Sequence, residues 1–168
     1  MTWDLRRLLS GLGEGAGPRG PLTAAVEDFL RDEGLKFHRP KDNAFLVPVG
    51  TEEGRWQVII TVDEKRSFVV VMSTLPVSAP ADRRTDTAVL LNKINWKLGV
   101  GNFEMDPSDG EVRFRTSVDL EHAPEAARAL MKQLFGLNVA TVGRNYHALI
   151  SFLTNRRMSV EDAELLLK

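Results

Sequence analysis

The side chains that could carry out a reaction are few in this chain, and none stands in a reactive arrangement. His38, His122 and His147 are the only histidines, and long segments separate them. A nucleophilic triad needs a base held beside its nucleophile and oriented by an acid, and no motif of that kind surrounds any of the three. No catalytic residue is assigned, so the chain reads as a non-enzyme. Asp106-Pro107-Ser108-Asp109-Gly110-Glu111 carries acids but lacks the alternating ligand order of a calcium loop, and it reads as a turn. Paired carboxylates of the glycosidase kind cannot be picked out, because acids are scattered over nearly every element. Gly11-Leu12-Gly13-Glu14-Gly15-Ala16-Gly17 has a superficial likeness to a dinucleotide fingerprint. It follows a leucine-rich helical pattern rather than a strand, places an acid where a phosphate would approach, and reads as a linker. Arg113 and Arg115 flank Phe114, but alternation sends the ring to the face opposite the two guanidinium groups, so it cannot stack a base beside them. No metal and no cofactor are expected.

The bulk composition narrows the classes further. The chain has 168 residues, 43% of them apolar and 27% charged, which suits one ordinary globular domain with a sizeable core. Its 22 basic and 23 acidic residues are mixed along the sequence, so direct nucleic-acid binding by phosphate neutralisation is not expected. Cysteine is absent, which excludes disulfides and thiolate metal sites and fits a reducing compartment. The first residues, Met1-Thr2-Trp3-Asp4-Leu5-Arg6-Arg7, mix charges and open no long apolar run, so neither a signal peptide nor a membrane span is read there. A cytoplasmic protein is the expectation.

The elements that would position any site follow from periodicity. Residues 1–20 read as an N-terminal arm, with Leu5, Leu8, Leu9 and Leu12 at helical spacing, and a Gly-rich linker; residues 21–168 read as a single α+β domain. Pro21 suits a first helical position, and Leu22, Ala25, Val26, Phe29 and Leu30 form one apolar face that stops at Gly34. Extended segments follow at residues 45–49, 56–62 and 68–74, joined by short polar turns that favour antiparallel neighbours; Pro48 argues for an edge position for the first. A helix over residues 85–98 ends at Gly99 and Gly101 and leads into a hairpin through Asp106-Pro107-Ser108-Asp109-Gly110. After Pro124 the chain is helical again, with a bend expected at Gly136 or Gly143, and Ser159 with Asp162 suggests a capping box for a terminal helix. The order is α-β-β-β-α-β-β-α-α, an antiparallel sheet of about five strands with helices packed on it.

Apolar surface is left over on this scheme. On the 85–98 helix, Leu90, Leu91, Ile94 and Leu98 occupy one side while Val89 and Trp96, seven residues apart and flanked by Asn92, lie on the other. A helix laid on a sheet needs one apolar stripe, so the second suggests another subunit, a client, or a later helix of the same chain. Asn92 and Asn95 beside it either fix packing through hydrogen bonds or face water. Ile59, Val69 and Val71 are read as a second apolar surface, on the sheet face opposite Trp56, Ile60, Val70 and Met72, unless the C-terminal helices cover it. Val89, Asn92 and Trp96, then Ile59, Val69 and Val71, are the candidate interface residues.

Three segments carry a resemblance: Leu90-Leu91-Asn92-Lys93-Ile94-Asn95, Gly101-Asn102-Phe103-Glu104-Met105-Asp106 and Gly110-Glu111-Val112-Arg113-Phe114-Arg115-Thr116. With them, residues 21–153 resemble the YbjN-type bacterial proteins, described as sensory transduction regulators. The resemblance implies a fold similar to type III secretion chaperones, with helices on one side of the sheet, frequent dimerisation and no catalysis. It implies a homodimer that binds another protein, such as an extended segment laid across the sheet or along the dimer's flanks. The rival readings are a small-molecule-sensing regulator with a pocket near Tyr146 and His147, and an accessory to nucleic-acid transactions that acts through a protein partner.

Overall fold

Proline opens the first helix because its fixed φ suits that position and its missing N–H would have no helical partner there. In the computed structural model, which describes residues 20–167, α1 spans Pro21–Asp32. Glu64, from a turn of the sheet, accepts the Thr23 N–H at 2.7 Å, the Leu22 N–H at 3.4 Å and the Thr23 hydroxyl at 2.7 Å. A carboxylate at this end meets both the free amides and the positive pole of the helix. The helix closes where Gly34, at φ 65, turns the chain so that the Leu35 N–H reaches the Leu30 carbonyl at 2.9 Å. The expected arm and linker lie, apart from Gly20, outside the described residues.

The described residues form six strands where about five were expected. β1 is His38–Lys41, β2 Ala44–Gly50, β3 Arg55–Asp63, β4 Phe68–Thr74, β5 Asn102–Met105 and β6 Val112–Asp119. They lie in the order β1-β2-β3-β4-β6-β5, with every neighbouring pair antiparallel. β1, reading His-Arg-Pro-Lys, has no alternation to announce it. It corrects the expectation that β2 is an edge strand. Yet β1 pairs with β2 only from His38↔Leu46 to Lys41↔Ala44, so Pro48 lies beyond its end with β3 as its only neighbour. The missing N–H of Pro48 therefore costs the sheet no bond.

Between β4 and β5 comes α2, Arg84–Asn95, entered through a 3-10 turn at Ala81–Arg83. After β6, a 3-10 turn at Pro124–Ala126 leads into α3, Ala127–Thr154, one continuous helix where two stretches were expected. The chain then forms α4, Val160–Glu164, which begins with the expected capping box: the Asp162 N–H donates to Ser159 Oγ at 3.0 Å and the Ser159 N–H to Asp162 Oδ2 at 3.1 Å.

Among the described residues, α1 to α4 all bury their apolar residues in one cluster with one face of the sheet, where Phe45, Val58, Ile60 and Phe114 meet Leu30, Leu90 and Phe152. The C-terminal helices thus join the first face and do not cover the second. The β3–β4 register pairs Ile60 with Val71 and Val62 with Val69, which corrects the facing of two candidate residues. Val69 and Val71 are fully buried beneath the helices. Ile59 pairs with Met72 instead and clusters with Leu46 and Val70 on the opposite face. β4 is apolar on both faces, so its own alternation cannot fix its phase; the turn from Glu64 to Ser67, the latter at φ 52, does so.

Candidate protein interface

α2 is two-sided in the way its spacing predicts. Thr87, Leu90, Leu91 and Ile94 face the core, and the Thr87 hydroxyl donates to the Arg83 carbonyl at 2.8 Å. On the other side Val89 is 47% exposed, Asn92 is exposed and Trp96 is 89% exposed. Trp96 ends the helix, its N–H donating to the Asn92 carbonyl at 3.0 Å, and Val100 follows as a further exposed apolar residue. Val89, Asn92 and Trp96 are therefore brought together on one surface strip, while Ile59 lies apart on the sheet and Val69 and Val71 are interior.

The geometry of this helix end is held by polar contacts. Asn95 Nδ2 donates to the Phe103 carbonyl at 2.9 Å, and the Phe103 N–H donates to Asn95 Oδ1 at 2.7 Å, which pins α2 to β5. Of the two readings left open for Asn95, hydrogen-bonded packing is the one observed. On the flank of the strip, Glu164 accepts from Lys93 at 2.7 Å and lies 3.8 Å from Lys97. The hydrogen bond and charge of Lys93 hold the Glu164 carboxyl below the usual carboxylate range, and those of Glu164 raise the Lys93 ammonium above its ordinary value. This tie runs the last residues beside the same end of α2, and Leu165 and Leu166 are exposed there. The sequence reading did not single out those two leucines, which follow the end of the terminal helix at Glu164.

The other candidates for chemistry stay apart. His38 and His122 are exposed on different segments, and His147, on the exposed side of α3, lies 3.1 Å from the Ser151 hydroxyl through Nδ1. Tyr146, which the rival reading places at a pocket, packs its ring 5.4 Å from that of Trp56, and its hydroxyl donates to the Arg55 carbonyl at 3.2 Å. Gly54 permits this closeness, because a Cβ there would overlap the Tyr146 ring. A cleft of about 560 Å³ opens nearby between Pro48, Val49, Gly50, Arg55, Trp56, Gln57 and Pro76. Among the described residues there is no cluster of three or more histidine or carboxylate groups that could hold a metal, and no helix is long and apolar enough to cross a membrane.

No curated protein sequence matches the chain. Among solved structures, the crystal structure of YbjN from E. coli is similar at a TM-score of 0.52 and 13% identity, covering 74% of this chain and 91% of that one. That likeness is one of fold. The HopA1–SchA chaperone–effector complex contains a chain similar at 0.46 and 14%, over 73% of this chain and 93% of that one. A structure of the Yersinia pestis type III secretion chaperone SycH with a fragment of YscM2 gives 0.40 and 13%, over 71% and 98%. A family model described as "Putative bacterial sensory transduction regulator" matches residues 23–151, most of the chain, and the protein belongs to this YbjN family.

Proposed function

We propose that the chain is a non-catalytic protein-binding module that works as a homodimer and holds a protein partner, with Val89, Asn92 and Trp96 at the interface. The observation that carries this reading is the indole of Trp96, 89% exposed on a helix whose opposite side already supplies the core contact. Large aromatic side chains leave water readily and are enriched among the residues that dominate interface energies. Val89, one helical turn pair away, and Leu165 and Leu166 beside the same end extend the apolar surface beyond a single stray residue.

Both edges of the sheet speak against a partner added as a seventh strand. β5 has its outward backbone groups at Phe103 taken by Asn95, and β1 is four residues long with Pro40 inside it. Capture through the α2 strip fits these constraints better than strand addition. Trp96→Asp tests the reading in the full chain. Sedimentation of the parent protein is expected at twice the monomer mass and of the variant at the monomer mass, with unchanged circular dichroism. A parent protein that sediments as a monomer, or a variant that keeps the dimer mass, rejects the α2 interface.

A further inference from the structure

α4 lies between α2 and α3 and packs on both. Its one fully buried residue, Ala163, joins the cluster that holds Leu91 and Ile94 of α2 and Phe152 and Leu153 of α3. An alanine fits a narrow channel between two helices, but it removes little apolar surface from water. Met158, Val160 and Leu167 are only partly buried, and Leu165 and Leu166 are exposed. The remaining hold on α4 is polar: the capping box of Ser159 and Asp162, and the Glu164 carboxylate, 2.7 Å from Lys93 and 3.8 Å from Lys97.

We propose that the channel between α2 and α3 is a docking groove for a short acidic amphipathic helix of a partner protein, and that residues 159–167 fill it in cis until such a helix takes their place. The inference rests on the reading of the chain as a protein-binding module, but not on the interface at Trp96. The occupant seen in the groove defines the chemistry that the groove accepts. α4 reads Val-Glu-Asp-Ala-Glu, three acids and no base, and it meets Lys93 and Lys97 at the end of α2. The Glu161 charge acts on Lys93 as well. Two cations converge on one glutamate, and a small residue faces inward, so an acidic helix with an alanine-sized contact is the matching ligand.

The occupant is also built to leave. A helix of five residues is too short to stand alone in water, so α4 exists as a helix only while it is seated. Ion pairs at a partly exposed site add little to that seating. Arg83 holds the carbonyls of Arg156 and Met158, which fixes the chain up to that point and leaves residues 159–167 as the part that can swing away. The family match covers residues 23–151, so the walls of the groove lie almost wholly within it and the filling segment lies beyond it. A partner helix continuing for another turn would make contacts along α2 that α4, ending at Glu164, leaves unmade.

The probe is a fluorescent peptide of residues 157–167, offered to the full chain. Ala163→Asp in the full chain places a charge in the apolar cluster, drives α4 out and leaves the sequence of α2 and α3 unaltered. By fluorescence anisotropy the peptide is expected to bind this variant at least tenfold more tightly than the parent, whose groove is filled. Glu161→Gln with Glu164→Gln in the peptide, which spares the Asp162 cap, should weaken binding at least fivefold. Equal affinity for parent and variant overturns the proposal, and so does a peptide indifferent to its two glutamates. If Ala163→Asp loses the folded circular dichroism signal, Glu164→Lys in the full chain takes its place and is judged by the same tenfold difference. Carbodiimide coupling of Lys93 to Glu164 in parent chains of light and heavy isotope, refolded together, is expected to join residues of the same chain only. Coupled products of mixed mass assign the groove to the α4 of a second copy and overturn the cis arrangement. Sedimentation, which judges the Trp96 interface, has no part in these outcomes, so either reading can fail alone.

Discussion

The Asn95 side chain pairs with the main chain of Phe103 in both directions, donating to its carbonyl at 2.9 Å and accepting from its N–H at 2.7 Å. Phe103 sits on β5, an edge strand, and β6 lies on its other side. One amide side chain therefore does what a further strand would do, and it closes the edge to strand addition.

Asn95→Ala is expected to lose both bonds and leave the two backbone groups without protein partners. The cost is about 1–3 kcal/mol, seen as a lower urea midpoint with little change in slope. The freed edge should also give concentration-dependent growth in mass by light scattering. An unchanged midpoint with an unchanged mass would show that solvent replaces the asparagine fully.

A second asparagine organises the interior. Asn138 of α3, with no exposed surface, accepts from the Ser73 hydroxyl at 2.5 Å and reaches the carbonyls of Val71 and Phe114 at 3.1 and 3.3 Å and the Thr116 hydroxyl at 3.1 Å. The Trp56 indole N–H in turn donates to Ser73 Oγ at 3.0 Å. Such a network sets where the long helix lies along the sheet, because a shift by one turn would leave several buried groups unpaired. Asn138→Ala is expected to cost about 2–3 kcal/mol, a fall in Tm of about 4–12 °C by calorimetry. A Tm within a degree of the parent would show that the network adds no net stability.

The two asparagines mark the limit of what periodicity can convey. The stripes of α1 and α2, the glycine stop and the hairpin at Asp106 to Gly110 are legible because each is a local pattern with a local cause, and the exposure of Trp96 follows from its angle to Leu90 and Ile94. Asn95 bonds a residue eight positions later, and that partner exists only once β5 has folded beside α2. Asn138 did carry a signal, lying four residues from both Leu134 and Val142 and so on an apolar stripe. The face of Val69 and Val71 was not legible, since a strand apolar on both sides takes its phase from its turn and not from its composition. β1 was hidden for the opposite reason: a polar edge strand with a proline has no alternation.

Arg83 fastens the C-terminal segment. Its guanidinium lies 4.0 Å from the centre of the Phe152 ring and donates to the carbonyls of Arg156 at 3.0 Å, Met158 at 2.9 Å and Phe152 at 3.4 Å. A cation at the end of α3 meets carbonyls with no helical partner and the negative pole of the helix. Arg83→Met keeps the aliphatic stem and removes the fork, at an expected cost of about 1.5–3 kcal/mol, with faster proteolysis after residue 154. Arg83→Lys should fail to restore protection, because an ammonium cannot span three carbonyls in a plane. Full rescue by lysine would show that charge alone holds the segment.

Acid should release the same segment at its other attachment. Glu164, held below the usual carboxylate range first by its hydrogen bond from Lys93 and then by that charge, favours the folded arrangement above the ordinary carboxylate pKa. The contribution is lost as pH falls through the lowered folded value. Asp162, lowered by its hydrogen bonds with the Ser159 side chain and backbone, changes in the same direction, so the cap and the tie of α4 weaken together in acid. Lys93, raised by Glu164, keeps its contribution below the ordinary lysine pKa and loses it only as pH rises through the raised one. The α4 attachment is therefore strongest across the neutral range and loosens first at the acidic limit. Hydrogen exchange at residues 160–167 is expected to accelerate in acid, after correction for intrinsic rates, before exchange at β3 changes. Glu164→Gln should show faster exchange already at neutral pH and a smaller response to acid. A parent protein whose residues 160–167 and β3 lose protection at one common pH would mean that α4 is held by its packing and not by these carboxylates.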